Sequence, residues 1–578
     1  MTRWWPLWRA RRGRTARPAP ASAAAPPPAP PPAPAFHQLK GFPDWGALTA
    51  ASPAWSARTP GRRGRVLVAT NIGGHGPVSV MESTLAAALA LRDADVEIVL
   101  CDAALPGCLR AEFSDLPDDT VVTERRLPRS FCPSCQGRGR AMFEPLGLKV
   151  HRLGSLITDE ERAEALRIAE SVPLEEIAEF ELDGLKVGEH ARAGALRYYT
   201  RGDLEDEPNG AAVLRRYLEA AVLSVFAYRR LLAEGGYDVA VFHHGLYVPQ
   251  GLVGEVCRAQ GVRVVNWVVA YRANSFIMSH GDTYHHTLMT EPVSAWEDMA
   301  WGERQRGEIL AYLKSRWRGS RDWIGFHEKP EEDADALLRG LGLDPSRPVI
   351  GMLSNVVWDA QLHYRANAFP SQIDWVVRTI EHFRARPDLQ LLLRIHPAEI
   401  RGTAPSRQPL AEEIARRVPV LPPNVFVIPP ESPVSTYAAM ELCDTVLIYG
   451  TKMGVELAAV GIPVIVAGEA WIKNKGLTLD ASGPEDYARL LESLPLRRRL
   501  DPQVVERALK YAYHFFFRRM MPLPFLKKVS SNLFFTPEIG SADELAEGRD
   551  AALDLMCEAI LEGRPFIYPA ERLGLHDL

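Results

Sequence analysis

Short apolar runs, set out in two series, constrain this chain more than any other feature. The first series reads RVLVAT at 65–70, VEIVLCD at 96–102, DVAVFHHG at 238–245 and VRVVNWVV at 262–269. The second reads VIGMLS at 349–354, LQLLLRIHP at 389–397, NVFVIPP at 424–430, TVLIYG at 445–450 and IPVIVAG at 462–468. Runs this short and this rich in Val, Ile and Leu suit strands buried on both faces, as in parallel sheets. Helical stretches lie between them, for example 81–92, 249–261 and 373–385. Strands alternating with helices give a parallel sheet covered on both sides. The expected fold class is α/β: two doubly wound Rossmann-like lobes facing a cleft.

The boundaries follow from composition. Residues 319–346 are polar and end in LGLDPSRP, which reads as a linker. The first lobe is expected at 61–335, the second at 345–500, and a helical crossover segment at 501–578. In that segment Val505, Ala508, Leu509, Ala512, Phe515 and Phe516 share one helical face, with Arg507, Lys510 and His514 on the other. The start, MTRWWPLWRARRGRTAR, carries six arginines, three tryptophans and no acid, and runs into a Pro/Ala stretch with nothing to bury. Residues 1–60 are expected to be disordered, either a tail without function or a contact with a membrane surface.

A chain of 578 residues is too long for one core, in keeping with two lobes. A net charge of −5 gives no general reason to expect nucleic acid as a partner. No run reaches the roughly 18 apolar residues that span a bilayer. The expectation is a cytoplasmic protein, peripheral at the inner membrane if its basic, aromatic segments meet lipid.

Two turns carry the chemistry. In YGTKMGVELAAVGIPVIVAG (449–468), a buried strand turns at Gly450 and Thr451 into a helix that ends before Gly461 and Pro463. Such a helix start suits phosphate, Lys452 adds charge, and Glu456 stands where a carboxylate can accept from a ribose diol. In NIGGHG (71–76), Gly73, Gly74 and Gly76 suggest backbone passing close to another group, and His75 suggests proton transfer.

Glu456-x4-Gly461-x-Pro463 resembles the sugar-nucleotide loop of GT-B glycosyltransferases, in which the glutamate binds ribose. The longer string from RIHPAE to IPVIVAG is similar to bacterial capsule polysaccharide biosynthesis proteins, a family that includes Kdo transferases. Arg394, His396, Pro397, Ser432, Ser435, Tyr437, Thr451, Gly454 and Glu456 match its motifs, whereas Gly450 stands where a serine is usual. The likeness implies nucleotide-sugar binding by Arg394, His396, Ser432, Ser435, Thr451, Gly454 and Glu456, with the charge of Lys452 at the helix start beside them. It implies a transferase that needs no metal or other cofactor for catalysis. The partners would be a CMP- or UDP-linked sugar and a polysaccharide or lipid-linked acceptor. Its first lobe would hold the catalytic base, His75 by resemblance to inverting GT-B enzymes, or His243 or His244 in HHGLYVPQG. Arg272, after the strand at 262–269, would reach an acidic acceptor.

Two other functions use the same lobes. A sugar-nucleotide 2-epimerase would need first-lobe carboxylates at the cleft, and neither loop carries one; a silent capsule-assembly partner would bind without turnover. Cys101, Cys108, Cys132 and Cys135 fall in one window, and their spacing leaves a structural zinc or four reduced thiols as alternatives. A redox pair is not expected, because C-x2-C here does not open a helix after a strand.

Overall fold

The computed structural model describes residues 42–316, 321–323, 333, 339–360, 367–402, 404–497, 499–529 and 535–574. The first sheet contains β1 (Arg65–Asn71), β2 (Asp95–Leu100), β3 (Lys149–Arg152), β4 (Val239–His243), β5 (Arg263–Val269) and β6 (Ser275–His280). The second contains β7 (Val349–Leu353), β8 (Gln390–Arg394), β9 (Val425–Ile428), β10 (Thr445–Ile448), β11 (Val464–Val466) and β12 (Leu479–Asp480). A short β13 (Met521–Pro522) returns to the first sheet and pairs antiparallel with β6.

Strand order in the first sheet is β13-β6-β5-β4-β1-β2-β3, and in the second β12-β11-β10-β7-β8-β9. β1 to β5 are parallel, with Val66 opposite Val96 on one side and Val239 on the other. All pairings in the second sheet are parallel. The order reverses between β1 and β4 in one lobe and between β7 and β10 in the other. In an open parallel sheet, the crevice for ligands lies at the carboxyl ends of the strands at such a reversal. Two doubly wound lobes with a C-terminal segment crossing from the second back to the first make a GT-B-type fold.

The stretch at 103–157 is more ordered than its composition suggests. It holds the helix Cys132–Phe143 and the edge strand β3. The helix forms despite Gly137 and Gly139 because it packs on the loop after β1, where a side chain at Gly73 would lie 2.2 Å from the Gly139 main chain. It also opens at Cys132, so the C-x2-C pair does begin a helix, although it follows the short helix Leu127–Ser130 and not a strand.

Three expectations need correction. Residues 45–57 are not disordered: Trp45–Ala50 and Pro53–Ala57 are helices, and Trp45 and Trp55 are buried in the first lobe's core. Asp543 ties them down, receiving the Ser52 hydroxyl and the Ala54 N–H. The helix Pro502–Tyr513 runs on into a wider turn, His514–Arg518, where His514 is fully buried against Glu291 at 2.9 Å rather than facing out. Phe515, Phe516 and Phe517 are likewise buried, so this segment presents no aromatic face to lipid. The linker expectation at 319–346 falls largely outside the described residues, as does the chain before residue 42. No helix among the described residues is long and apolar enough to cross a membrane.

The lobes also meet in a clasp on one side of the cleft. Arg407 of the second lobe lies 3.7 Å over the Phe113 ring and pairs with Glu207 at 2.9 Å. Its N–H donates to the Thr200 carbonyl, and Gln408 bridges the Gly202 N–H and the Asp203 carboxylate.

Candidate active site

The first lobe's switch point gathers the histidines. β1 ends on Asn71, held in a left-handed conformation by the Tyr228 hydroxyl at 2.6 Å. The chain then turns through Gly73 and Gly74 to His75, which caps the helix Gly76–Ala90 with extended backbone and no side-chain capping bond. β4 delivers His243, and His244 follows with φ of +65°, a strained value for a residue with a side chain. The His75 and His243 rings are 5.7 Å apart, and His243 and His244 are 5.4 Å apart. All three Nδ1 atoms are buried without a hydrogen-bond partner. Two loops distant in sequence thus form one imidazole cluster.

Burial lowers the pKa of each, and the Arg197 guanidinium pushes in the same direction; His75 falls to about 4. The cluster is therefore neutral near pH 7. Aromatic contacts extend it across the cleft. His244 lies 6.2 Å from His285, His285 stacks on Trp471 at 5.7 Å, and Trp471 lies 5.7 Å from Tyr271. Lys452 sits 5.0 Å over Tyr271. A second bridge joins the Tyr247 hydroxyl to Asp359 at 3.2 Å. Tyr247, Tyr271, Asp359 and Trp471 escaped the sequence reading, because a lone aromatic or acid in a loop has no spacing signature.

The second lobe sets His396 just beyond β8. Its Nδ1 accepts from the Ala398 N–H at 3.0 Å, so in the neutral ring the proton sits on Nε2. Burial, with the charges of Lys452 and Arg394, lowers its pKa to about 4. Beyond β10, Thr451 and Lys452 flank the other side of the switch point. The Thr451 hydroxyl accepts from the Met453 N–H, and the Lys452 ammonium is 3.0 Å from Glu456.

Several motif residues are engaged within the protein. Arg394 is buried and donates to the Pro429 and Ser432 carbonyls, bracing that loop. The Ser435 hydroxyl caps the helix Thr436–Glu441, and the Ser432 hydroxyl accepts from the Val434 N–H. A side chain at Gly454 would strike Ile448 and Ile472, so this glycine serves helix-on-strand packing. Glu456 is bound by Arg316, Lys452 and Tyr437, the last at 2.6 Å. Arg272 is buried and donates to the Met520 carbonyl, fixing the crossover segment instead of reaching the cleft.

The loop glycines answer to a helix. A side chain at Gly74 would lie 2.9 Å from both the Cys135 main chain and its sulfur, and Gly139 sits against Gly73. These glycines admit the helix Cys132–Phe143, whereas Gly76 simply opens the helix after His75. The four cysteines lie beneath this loop, where burial raises the pKa of each and the charge of at least one other thiol adds to it. They are nonetheless seated separately. Cys135 Sγ accepts from the Gly74 N–H at 3.2 Å, Cys108 and Cys135 pack on one small apolar cluster, and Cys101 and Cys132 on another. Among the described residues no group of three or more His, Cys, Asp or Glu side chains is placed to hold a metal ion. The zinc expectation thus finds no ligand geometry.

No family model matches the chain, and no curated protein matches it. Among solved structures, the chain is similar to a Thermosulfurimonas dismutans KpsC β-Kdo 2,4 transferase at 15% identity and a TM-score of 0.32, over 48% of this chain and 80% of that one. A β-Kdo 2,7 transferase of Thermosulfurimonas dismutans KpsC matches at 11% identity and 0.29, over 55% and 88%. The Methanocaldococcus jannaschii UDP-GlcNAc 2-epimerase in complex with UDP-GlcNAc and UDP matches at 12% and 0.27, over 77% and 97%.

Proposed function

We propose that the protein is a glycosyltransferase that moves a sugar from a nucleotide donor onto a capsule or other surface polysaccharide, or its lipid-linked precursor. One observation carries this reading. Contacts of His285 with Trp471, Tyr247 with Asp359 and Lys452 with Tyr271 join the two lobes near their switch points, with His75, His243 and His244 on the first-lobe side and His396, Thr451 and Lys452 on the second-lobe side. Neutral imidazoles suit a base that takes the proton of an acceptor hydroxyl. Across the cleft, the His396 Nε2–H and the Lys452 ammonium suit the charge that grows on a departing phosphate. The motif likeness at 390–470 supports the same reading, with CMP- or UDP-linked sugars as the donor class. The epimerase reading gains no support from Glu82, the first-lobe carboxyl against the His243 main chain, which is fully buried.

Calorimetric titration of the full chain with CMP-, UDP-, GDP- and CDP-sugars tests the assignment. One donor class binds the wild type, and Lys452→Ala weakens it by about 10- to 100-fold, the worth of a charged hydrogen bond. A wild type that binds none of the four overturns it.

A further inference from the structure

The first lobe buries a carboxyl directly behind the histidine cluster. Glu82 lies on the helix Gly76–Ala90, about two turns beyond His75, and has no exposed surface. One oxygen accepts the Trp267 indole N–H at 2.9 Å, and the main chain of His243 faces the same carboxyl. The other oxygen, Oε2, is buried, and the Thr70 side chain also lies against the carboxyl. The Trp267 ring in turn lies 4.9 Å from the His243 imidazole. His243 is therefore held from two sides by one acid: through the indole that packs on its ring and through its own backbone.

A carboxyl is an expensive choice for this place. Burying it without full pairing costs stability, and an amide or an apolar side chain would fill the same space at lower cost. A costly polar group directly behind a functional loop is where local rules are broken for the sake of the site. Burial pushes the Glu82 carboxyl up to about 7, against the pull of the Thr70 side chain, the Trp267 bond and the His243 main chain. Among the described residues, neither His75 nor His244 has a carboxyl placed behind it in this way.

We propose that Glu82 is a positioning residue for His243, acting through Trp267 and the His243 main chain to hold that imidazole in one plane at the floor of the cleft. Resting on the glycosyltransferase reading, this singles out His243 as the imidazole of the cluster built for proton transfer.

The test is nitrogen NMR of the full chain labelled at histidine, with His243 assigned by its loss in His243→Gln. Glu82→Gln keeps the side chain's shape and changes its charge and bonding, and Trp267→Phe removes the link to the ring. Both substitutions are expected to shift the His243 ring signals. The signals of His280, which is bound to the Arg564 carbonyl away from this cluster, should stay in place. Unmoved His243 signals in a folded Glu82→Gln protein overturn the proposal, as does an equal shift at His280. If Glu82→Gln fails to fold, Trp267→Phe decides by the same criterion. Should the protein prove not to be a glycosyltransferase, the spectra still report whether Glu82 sets His243. Should turnover be found, Glu82→Gln is expected to lower kcat at least tenfold with the donor KM unchanged.

Discussion

The Arg316 guanidinium lies 3.0 Å from the Glu456 carboxylate, Nε to Oε2, with both side chains buried. Arg316 ends the helix Glu303–Arg316 and also pairs with Asp322 at 2.5 Å, so Glu456 anchors the segment that leads out of the first lobe. The glutamate of the nucleotide-loop motif is thus the centre of an ion cluster.

The first prediction follows from that cluster. Burial raises the Glu456 pKa, but Arg316, Lys452 and the Tyr437 hydrogen bond outweigh it and bring it to about 2. A carboxyl whose folded pKa is depressed adds stability that is fully present above its ordinary value and is lost as pH falls towards 2. Glu456→Ala is expected to cost on the order of 3–5 kcal/mol in urea unfolding at pH 7, because it leaves Arg316 buried with part of its pairing gone. Glu456→Gln should show a flatter fall in stability between pH 4.5 and 2. A variant that loses donor affinity at full stability would instead mark Glu456 as a ribose ligand only.

The second concerns the loop after β1. Gly73→Ala would place a methyl 2.2 Å from the Gly139 main chain, and Gly74→Ala one 2.9 Å from Cys135. Each is expected to lower stability by about 1–3 kcal/mol, the usual range for overpacking, whether or not ligand is present. Thermal unfolding measures it. Unchanged stability with lost ligand affinity would return these glycines to a ligand-contact role.

Third, the neutral histidines give a pH signature. His75 and His396 are brought down to about 4 and His285 to about 3, each chiefly by burial. A histidine with a depressed folded pKa binds fewer protons folded than unfolded. Its contribution is therefore present above about 6.5 and is lost as pH falls towards 4. Unfolding followed from pH 7 to 4 should show this loss, less steeply in His75→Gln. A slope unchanged by the substitution contradicts the buried, neutral assignment.

Fourth, Arg407 should govern opening of the clasp. Its stacking on Phe113 and its pairing with Glu207 hold the second lobe's loop at 405–408 to the first lobe. Arg407→Ala is expected to release roughly 1–2 kcal/mol of contact. Hydrogen exchange should then quicken at 200–207 and 405–408 and not in β1 or β4. Unchanged exchange there would show that the clasp is held by other contacts.

The lobes were legible because β1, β4, β7, β8 and β10 are apolar runs that water cannot accommodate. β3 (KVHR) was not, since an edge strand needs no apolar run, and the helix Cys132–Phe143 was hidden by glycines that its packing requires. Loops after β1 and β4 could be named as site loops, yet their meeting at 5.7 Å depends on strand order, which short-range pattern does not encode. Within the motif at 390–470, Arg394, Ser435 and Gly454 are engaged by the protein itself, as a carbonyl donor, a helix cap and a packing glycine. The partner that claims Glu456, Arg316, lies 140 positions away in sequence.

The most direct test of the account is turnover of nucleotide sugars by the purified full chain. Incubated with CMP-, UDP-, GDP- and CDP-sugars in turn, the protein should be protected from thermal unfolding by one donor class and should hydrolyse that class slowly without an acceptor. Replacing His243 by Ala should slow transfer by about 10²–10⁴-fold, the usual worth of a general base, with donor protection retained. Neither protection nor hydrolysis with any of the four classes would contradict the account at its centre.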